Sequence, residues 1–280
     1  MTGRRVGITA IGALAALVFL GLPAPAQRTV VFERVSTLPS PLLKMFVHLG
    51  VEVPDPSVEY PASFFSTFDT GCSATLVGAD SVLTAQHCAK YDAHPTLRID
   101  GTDVQSTCTP SQFADIALCQ LSTKLSGIVF DVIERDPATA AVGRTVRLTG
   151  WADPPPPNFL AAWLRRLRRR LGFGSPFKVG DGTVQQSGLT LMVLGATTNG
   201  DAVVLEPGDS GGAAYAQQGS KRTIVGVNMC GRQYCGNAAT PATSELTNVT
   251  NQSVAEWIAK WAHRNGAQVC GFTSTVGCRP

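Results

Sequence analysis

The chain has 280 residues, of which 44% are hydrophobic and 15% charged, with 28 glycines and 18 prolines. That apolar share excludes a disordered chain, and so many turn-formers exclude a protein of long helices; the length allows one large β domain or two barrels of roughly 100 to 130 residues each. The formal net charge of +3 falls to +1 once residues 1–26 are set aside, because they carry Arg4 and Arg5 and no acid, so global charge points to no nucleic-acid partner.

Residues 1–26 open with those arginines, continue through an apolar run from Ile8 to Leu22 and end in Ala24-Pro25-Ala26. A basic start, an apolar centre and a small-x-small end form the pattern that signal peptidases cleave, so a secreted protein, extracellular or held at the cell envelope, is expected. An uncleaved anchor is the alternative, for which the run is short against the ~20 residues of a span. Residues 27–63 are Pro-rich without a clean period and read as an N-terminal extension, an extended or propeptide-like arm. From there short apolar runs recur between polar turns, among them "CSATLVG", "SVLTAQ", "IALCQL", "TVRLTGW", "LTLMVL" and "RTIVGVNM". Such a series without βαβ alternation predicts an all-β fold.

Two stretches break the rhythm. In "DPPPPNFLAAWLRRLRRRLGFGSP", about residues 153–175, four extended prolines precede a helical pattern with Leu160, Trp163, Leu164, Leu167 and Leu171 on one face. Arg165, Arg166, Arg168, Arg169 and Arg170 fall on the other. A basic amphipathic helix of this kind lies on an anionic membrane surface, binds a polyanion, or folds onto its own domain. In "SVAEWIAKWAHRNG" Ser253 and Glu256 have capping-box spacing, Trp257, Ile258 and Trp261 follow helical spacing, and Asn265-Gly266 supplies a stop, which predicts a C-terminal helix. Asn248-Val-Thr250 and Asn251-Gln-Ser253 match the glycosylation sequon but sit where a helix cap is needed, and capping is the expected role. Residues 266–280 read as a disulfide-closed tail.

Eight cysteines in an exported chain point to four disulfides. They fall in close sequential pairs, Cys72/Cys88, Cys108/Cys119, Cys230/Cys235 and Cys270/Cys278. Of the 105 possible pairings, the sequential one closes the shortest loops. None of the gaps has the C-x2-C spacing of a zinc site, so no metal is expected.

"GDSGG" at Gly208 to Gly212 places a serine between glycines beside an aspartate. A serine hydroxyl becomes a nucleophile only with a histidine to take its proton and a carboxylate to orient that histidine. The chain has four histidines. His263 lies late in the C-terminal helix, an ordinary structural position, and His48 lies in the lead-in. His87 follows two strand-like runs joined by a turn at Gly78-Ala79-Asp80, with Cys72 and Cys88 placed to bridge those strands beside the ring. A histidine beside a cysteine is by itself more often structural than catalytic. Asp115 stands at the mouth of the apolar strand in "FADIALCQL", whereas Asp100 and Asp103 flank Gly101 as in a hairpin turn.

"TAQHC", "DIALC" and "GDSGG", in that order, resemble the chymotrypsin/trypsin-like serine peptidases, and with the signal sequence the resemblance is to the bacterial secreted members. "LTGW" at Leu148–Trp151 looks like the strand opening that family's second barrel, and "TIVGV" at Thr223–Val227 like the strand lining its cleft. The resemblance covers about residues 64–265. It implies two antiparallel six-stranded β-barrels, over 64–135 and 136–265, closed by the C-terminal helix. It also implies a Ser210-His87-Asp115 triad, an oxyanion hole formed by the N–H groups of Gly208 and Ser210, and a monomer that cleaves peptide or protein substrates without a cofactor. A catalytically silent protein of the same fold, acting through its Arg-rich helix, is the rival.

The sequence departs from the family pattern in several places. Asp209 lacks an "IVGG"-type N-terminus to pair with, and Arg147 or Arg144 is the expected internal cation, since a buried unpaired carboxylate is costly. Val204 stands where a trypsin-like enzyme carries an acid, so a pocket of Val204, Leu205, Gly231 and Ala242 is expected to take small or apolar side chains. Glu206 replaces a usual cysteine, and Met229 stands where a serine commonly supports the triad aspartate.

Overall fold

The computed structural model describes residues 50–66, 71–90, 92–99, 102–151, 177–198, 201–231 and 243–279. Residues 1–26, the basic helix with its five arginines, Cys235 and Ala242 lie outside the described residues. The chain enters with β1 (Val51–Glu52) and one helical turn, α1 (Pro56–Glu59). It then forms β2 (Ser63–Ser66), β3 (Cys72–Gly78), β4 (Ser81–Thr84), the short α2 (Gln86–Ala89), β5 (Thr96–Ile99), β6 (Thr102–Pro110) and β7 (Ala117–Leu121). These six strands after β1 make an antiparallel sheet in the order β2-β3-β4-β7-β6-β5, whose edges β2 and β5 approach to give a nearly closed barrel.

Then come β8 (Val132–Ile133), β9 (Thr145–Gly150), β10 (Lys178–Ser187), β11 (Thr190–Gly195), a ribbon of β12 (Thr197–Thr198) and β13 (Asp201–Ala202), β14 (Ala213–Gln218), β15 (Lys221–Gly231) and β16 (Thr243–Asn248). Six of them pair in a ring, β9-β10-β11-β16-β15-β14 and back to β9, which closes the second barrel and leaves it no edge. Of the lead-in, residues 50–63 are described, and there β1 pairs with β10 at the rim of this second barrel. The expected all-β fold of two six-stranded barrels with a C-terminal helix is what the chain adopts.

Alternation explains the first barrel. Along β6, Val104, Ser106 and Cys108 turn inward while their neighbours face water. β3 and β4 are buried on both faces. The face that carries Leu76 and Val82 packs on the barrel interior with Leu97, while Leu83 stands beside Leu118 on the opposite face. The latter is covered in part by the C-terminal segment, where a Cβ on Gly78 would strike the Gln268 carbonyl. The second interior is formed by Val146, Leu148, Val184, Leu191, Val193, Val225 and Leu246.

The C-terminal helix, α3 (Gln252–Asn265), is capped two residues earlier than the Ser253/Glu256 spacing predicts. Asn251 is the N-cap, its side chain accepting from Ser253 N–H at 3.1 Å, and Gly266 ends the helix with φ +57°. Asn248 of the other sequon is buried, donating to the Gly188 carbonyl and accepting from Thr250. Cys72–Cys88, Cys108–Cys119 and Cys270–Cys278 are disulfides. Among the described residues no helix is long and apolar enough to cross a membrane.

Candidate active site

β4 carries the chain into α2, whose N-cap position is Ala85 and supplies no side-chain acceptor. The missing cap comes from Asp115, 28 residues after His87, in the turn before β7: its Oδ1 accepts the His87 backbone N–H at 2.9 Å. Its Oδ2 lies 2.7 Å from His87 Nδ1. One carboxylate therefore fixes both the helix start and the ring. Because it can only accept, the imidazole proton belongs on Nδ1, and Nε2 is left as the basic nitrogen. The His87 side chain is 44% exposed and that of Asp115 18%, so the imidazole faces solvent and the carboxylate is sheltered. Thr247 Oγ donates to the Asp115 carbonyl at 2.8 Å, tying the turn to the second barrel.

His87 and both sulfurs of Cys72–Cys88 place ligand-type atoms within 4.8 Å of one another. The sulfurs are bonded to each other, so they offer no thiolate pair for a metal.

Ser210 lies in the turn leading into β14. Its carbonyl accepts from Ser73 N–H at 2.8 Å, and Ser73 Oγ donates to the Gly208 carbonyl at 2.8 Å while accepting from Trp151 N–H at 3.0 Å. Ser73 thus fastens the serine loop of one barrel to β3 of the other. Its neighbour Cys72 is bonded to Cys88, beside His87. Gly211 has φ +82°, and a Cβ there would run into Thr84 Oγ and the Ser73 carbonyl, so only glycine lets the loop lie so close. The Ser210 hydroxyl donates to the Met229 carbonyl at 3.0 Å. Gly208 has φ +105°, and among the described residues the N–H groups of Gly208 and Ser210 meet no acceptor. Amide N–H groups left without a backbone acceptor beside a hydroxyl are the kind of donor that can receive negative charge.

The arginines expected to pair with Asp209 are placed elsewhere. Asp209 is fully buried, with Oδ2 accepting from Glu206 N–H at 2.9 Å. Arg147 instead clasps Asp181 at 2.8 and 3.0 Å, which raises its pKa, and Arg144 Nε donates to the Ala138 carbonyl. The reason is strand alternation. A Cβ on Gly150 would meet the Asp209 carboxylate; Arg147, three residues away on β9, points to the opposite face. Lys178 stands directly across from Gly150 and so shares its face. Burial pulls the Lys178 ammonium below its ordinary range, and the carboxylates of Glu52 and Asp209 push it back up.

Of the expected pocket residues, Val204 and Leu205 are buried, and Leu205 packs into the interior of the second barrel with its N–H given to Ser244 Oγ. Its side chain is consumed by that core. Gly231 pairs with Ser244 at the end of β15. A cavity of about 570 Å³ between the start of α3, Arg135 and Phe272 contains none of these residues.

Two antiparallel six-stranded barrels, with a histidine-carboxylate pair on one and a glycine-flanked serine on the other, define the architecture of a serine-type peptidase. The family model described as Trypsin matches residues 49–258, and the chain belongs to the trypsin family. That family is one of serine-type peptidases acting on peptides and proteins. No curated protein matches the chain.

Proposed function

We propose that the chain is a secreted serine endopeptidase working through Ser210, His87 and Asp115. The observation that carries this reading is the 2.7 Å contact between His87 Nδ1 and an Asp115 carboxylate that also accepts the backbone N–H of the same histidine. In the reaction, rotation about the Ser210 Cα–Cβ bond moves Oγ from the Met229 carbonyl to His87 Nε2. Oγ attacks the scissile carbonyl carbon as its proton passes to Nε2, and Asp115 stabilises the imidazolium. The carbonyl oxygen gains the negative charge and is received by the N–H groups of Gly208 and Ser210. His87 returns the proton to the leaving amine, giving an acyl-enzyme. Water then repeats the sequence to release the acid and restore the serine. Three disulfides in the described residues agree with an oxidising, extracytoplasmic setting. A buried valine at 204, six residues before the nucleophile, favours small or apolar side chains over basic ones at the cleaved position.

The test is labelling of residues 27–280 by a fluorophosphonate probe. The wild type takes up one equivalent and Ser210→Ala takes up none. Absence of labelling in the folded wild type would sink the peptidase reading in favour of a silent protein of this fold.

A further inference from the structure

Asn228 is a buried polar residue that neither the triad nor the barrel core requires. It lies on β15, fully inaccessible to solvent, directly after the apolar run Ile224–Val227. Its Nδ2 donates to the Thr149 carbonyl at 2.7 Å and to the Asp209 carbonyl at 3.2 Å. Two acceptors on one side fix which end of the carboxamide is nitrogen. Its Oδ1 is buried and, among the described residues, accepts nothing. An aliphatic residue of similar size would avoid that desolvation cost but would take the donor away from the Thr149 and Asp209 carbonyls. Its backbone is engaged as well: Asn228 N–H donates to the Gly212 carbonyl and its own carbonyl accepts from Gly211 N–H, both at 2.9 Å. Side chain and backbone together grip the serine loop around Asp209 and Ser210.

The Asp209 carbonyl belongs to the same peptide unit as the Ser210 N–H. That unit is trans and planar, so its C=O and N–H point in opposite directions. The carbonyl is held by two donors, Asn228 Nδ2 and Gly212 N–H, the latter at 3.0 Å. Anchoring the oxygen there aims the Ser210 N–H away from β9 and β15, and donation to the oxygen polarises the amide and strengthens its N–H as a donor. A Cβ on Gly212 would lie 2.8 Å from the Thr149 carbonyl, 3.0 Å from that of Asp209 and 3.1 Å from Asn228 Nδ2, so the anchor is packed to contact with no room to slip.

We propose that the Asn228 carboxamide is a positioning residue for the oxyanion site: by anchoring the Asp209 carbonyl it aims and polarises the Ser210 N–H. The inference rests on the serine-peptidase reading, and the experiment separates the two. Asn228→Leu keeps the bulk and removes the donor, and Asn228→Ala is measured beside it in case the larger side chain does not fold. With active sites counted by fluorophosphonate titration, hydrolysis of fluorescein-labelled casein is followed together with inhibition by phenylboronic acid, which forms an anionic tetrahedral adduct on the serine. Misaiming one donor lowers kcat about 10- to 100-fold, leaves KM within about twofold, and raises the phenylboronic acid inhibition constant by a factor similar to the loss in kcat. A role in stability alone would lower the melting temperature and the titrated fraction but leave kcat per titrated site and the boronate affinity as in the wild type, and that outcome overturns the proposal. On the wild type itself, the Asn228 side-chain amide protons shift in NMR spectra when the boronate binds. Unmoved Asn228 resonances overturn it equally. A wild type that no fluorophosphonate labels defeats the peptidase reading, and this proposal with it.

Discussion

Replacing Asp115 by asparagine lowers kcat about 10⁴-fold while the protein stays folded. The magnitude follows from how the carboxylate is held. Oδ1 accepts the backbone N–H of His87 and Oδ2 faces Nδ1. An asparagine has one oxygen, and the backbone N–H, which can only donate, claims it. The NH2 group is thereby turned toward Nδ1. The ring must then accept at Nδ1 and carry its proton on Nε2, where it can no longer deprotonate Ser210. The α2 cap survives, so thermal unfolding moves little. Asp115→Ala loses the cap too and falls in both rate and stability, with a missing helix cap costing about 1 kcal/mol. The check is turnover per properly folded molecule beside a melting curve. An Asp115→Asn rate within tenfold of the wild type would remove Asp115 from the proposed triad.

The parts of the site legible in the sequence are those in which chemistry is concentrated in a few adjacent residues. "TAQHC" sets the histidine beside a cysteine whose partner, Cys72, lies one strand earlier, and the short loop between the two makes that pairing readable from spacing alone. The barrels are legible through period-two burial, as in β6, where inward and outward residues alternate cleanly. What escapes depends on which residues stand opposite one another across long separations. Ser73 reaches Gly208 over 135 positions and Asn228 reaches Thr149 over 79; nothing local marks either. Proximity along the chain points to the arginines near Trp151 as partners for Asp209, and proximity misleads. Strand parity, which turns Arg147 away and brings Lys178 across from Gly150, requires the register of β9 on β10. That register is hidden by the segment between the two strands.

Removal of the Asp131 side chain is the single change with the largest expected effect on stability. Asp131 is fully buried in the segment joining the barrels. It accepts from the Tyr215 hydroxyl at 2.7 Å, from Arg222 Nη2 at 3.2 Å and from Arg279 Nε at 2.9 Å. Arg222 lies against the rings of both Tyr60 and Tyr215, 4.0 and 4.6 Å from their centroids, and also donates to the Glu59 carbonyl. Arg279 comes from the tail closed by Cys270–Cys278, whose backbone exchanges hydrogen bonds with Phe130. One carboxylate thus joins the lead-in, the inter-barrel segment, β14, β15 and the C-terminus. In Asp131→Ala two guanidinium groups, 13% and 23% exposed, lose their anion in a site that solvent hardly reaches. Breaking such a buried pair costs about 3–5 kcal/mol, which lowers the melting temperature by roughly 10 °C in a domain of this size. Asp131→Asn keeps an acceptor and the volume and loses less. The tyrosine supplies an independent readout. Burial, reinforced by the charge of Asp131, holds the Tyr215 phenol well above its ordinary pKa, while Arg222 acts the other way. Without the carboxylate only burial opposes the arginine, so Tyr215 ionises at lower pH in the alanine variant, visible as earlier phenolate absorbance in an alkaline titration. A melting temperature and titration curve both unchanged from the wild type would mean that Asp131 does not hold these five segments together.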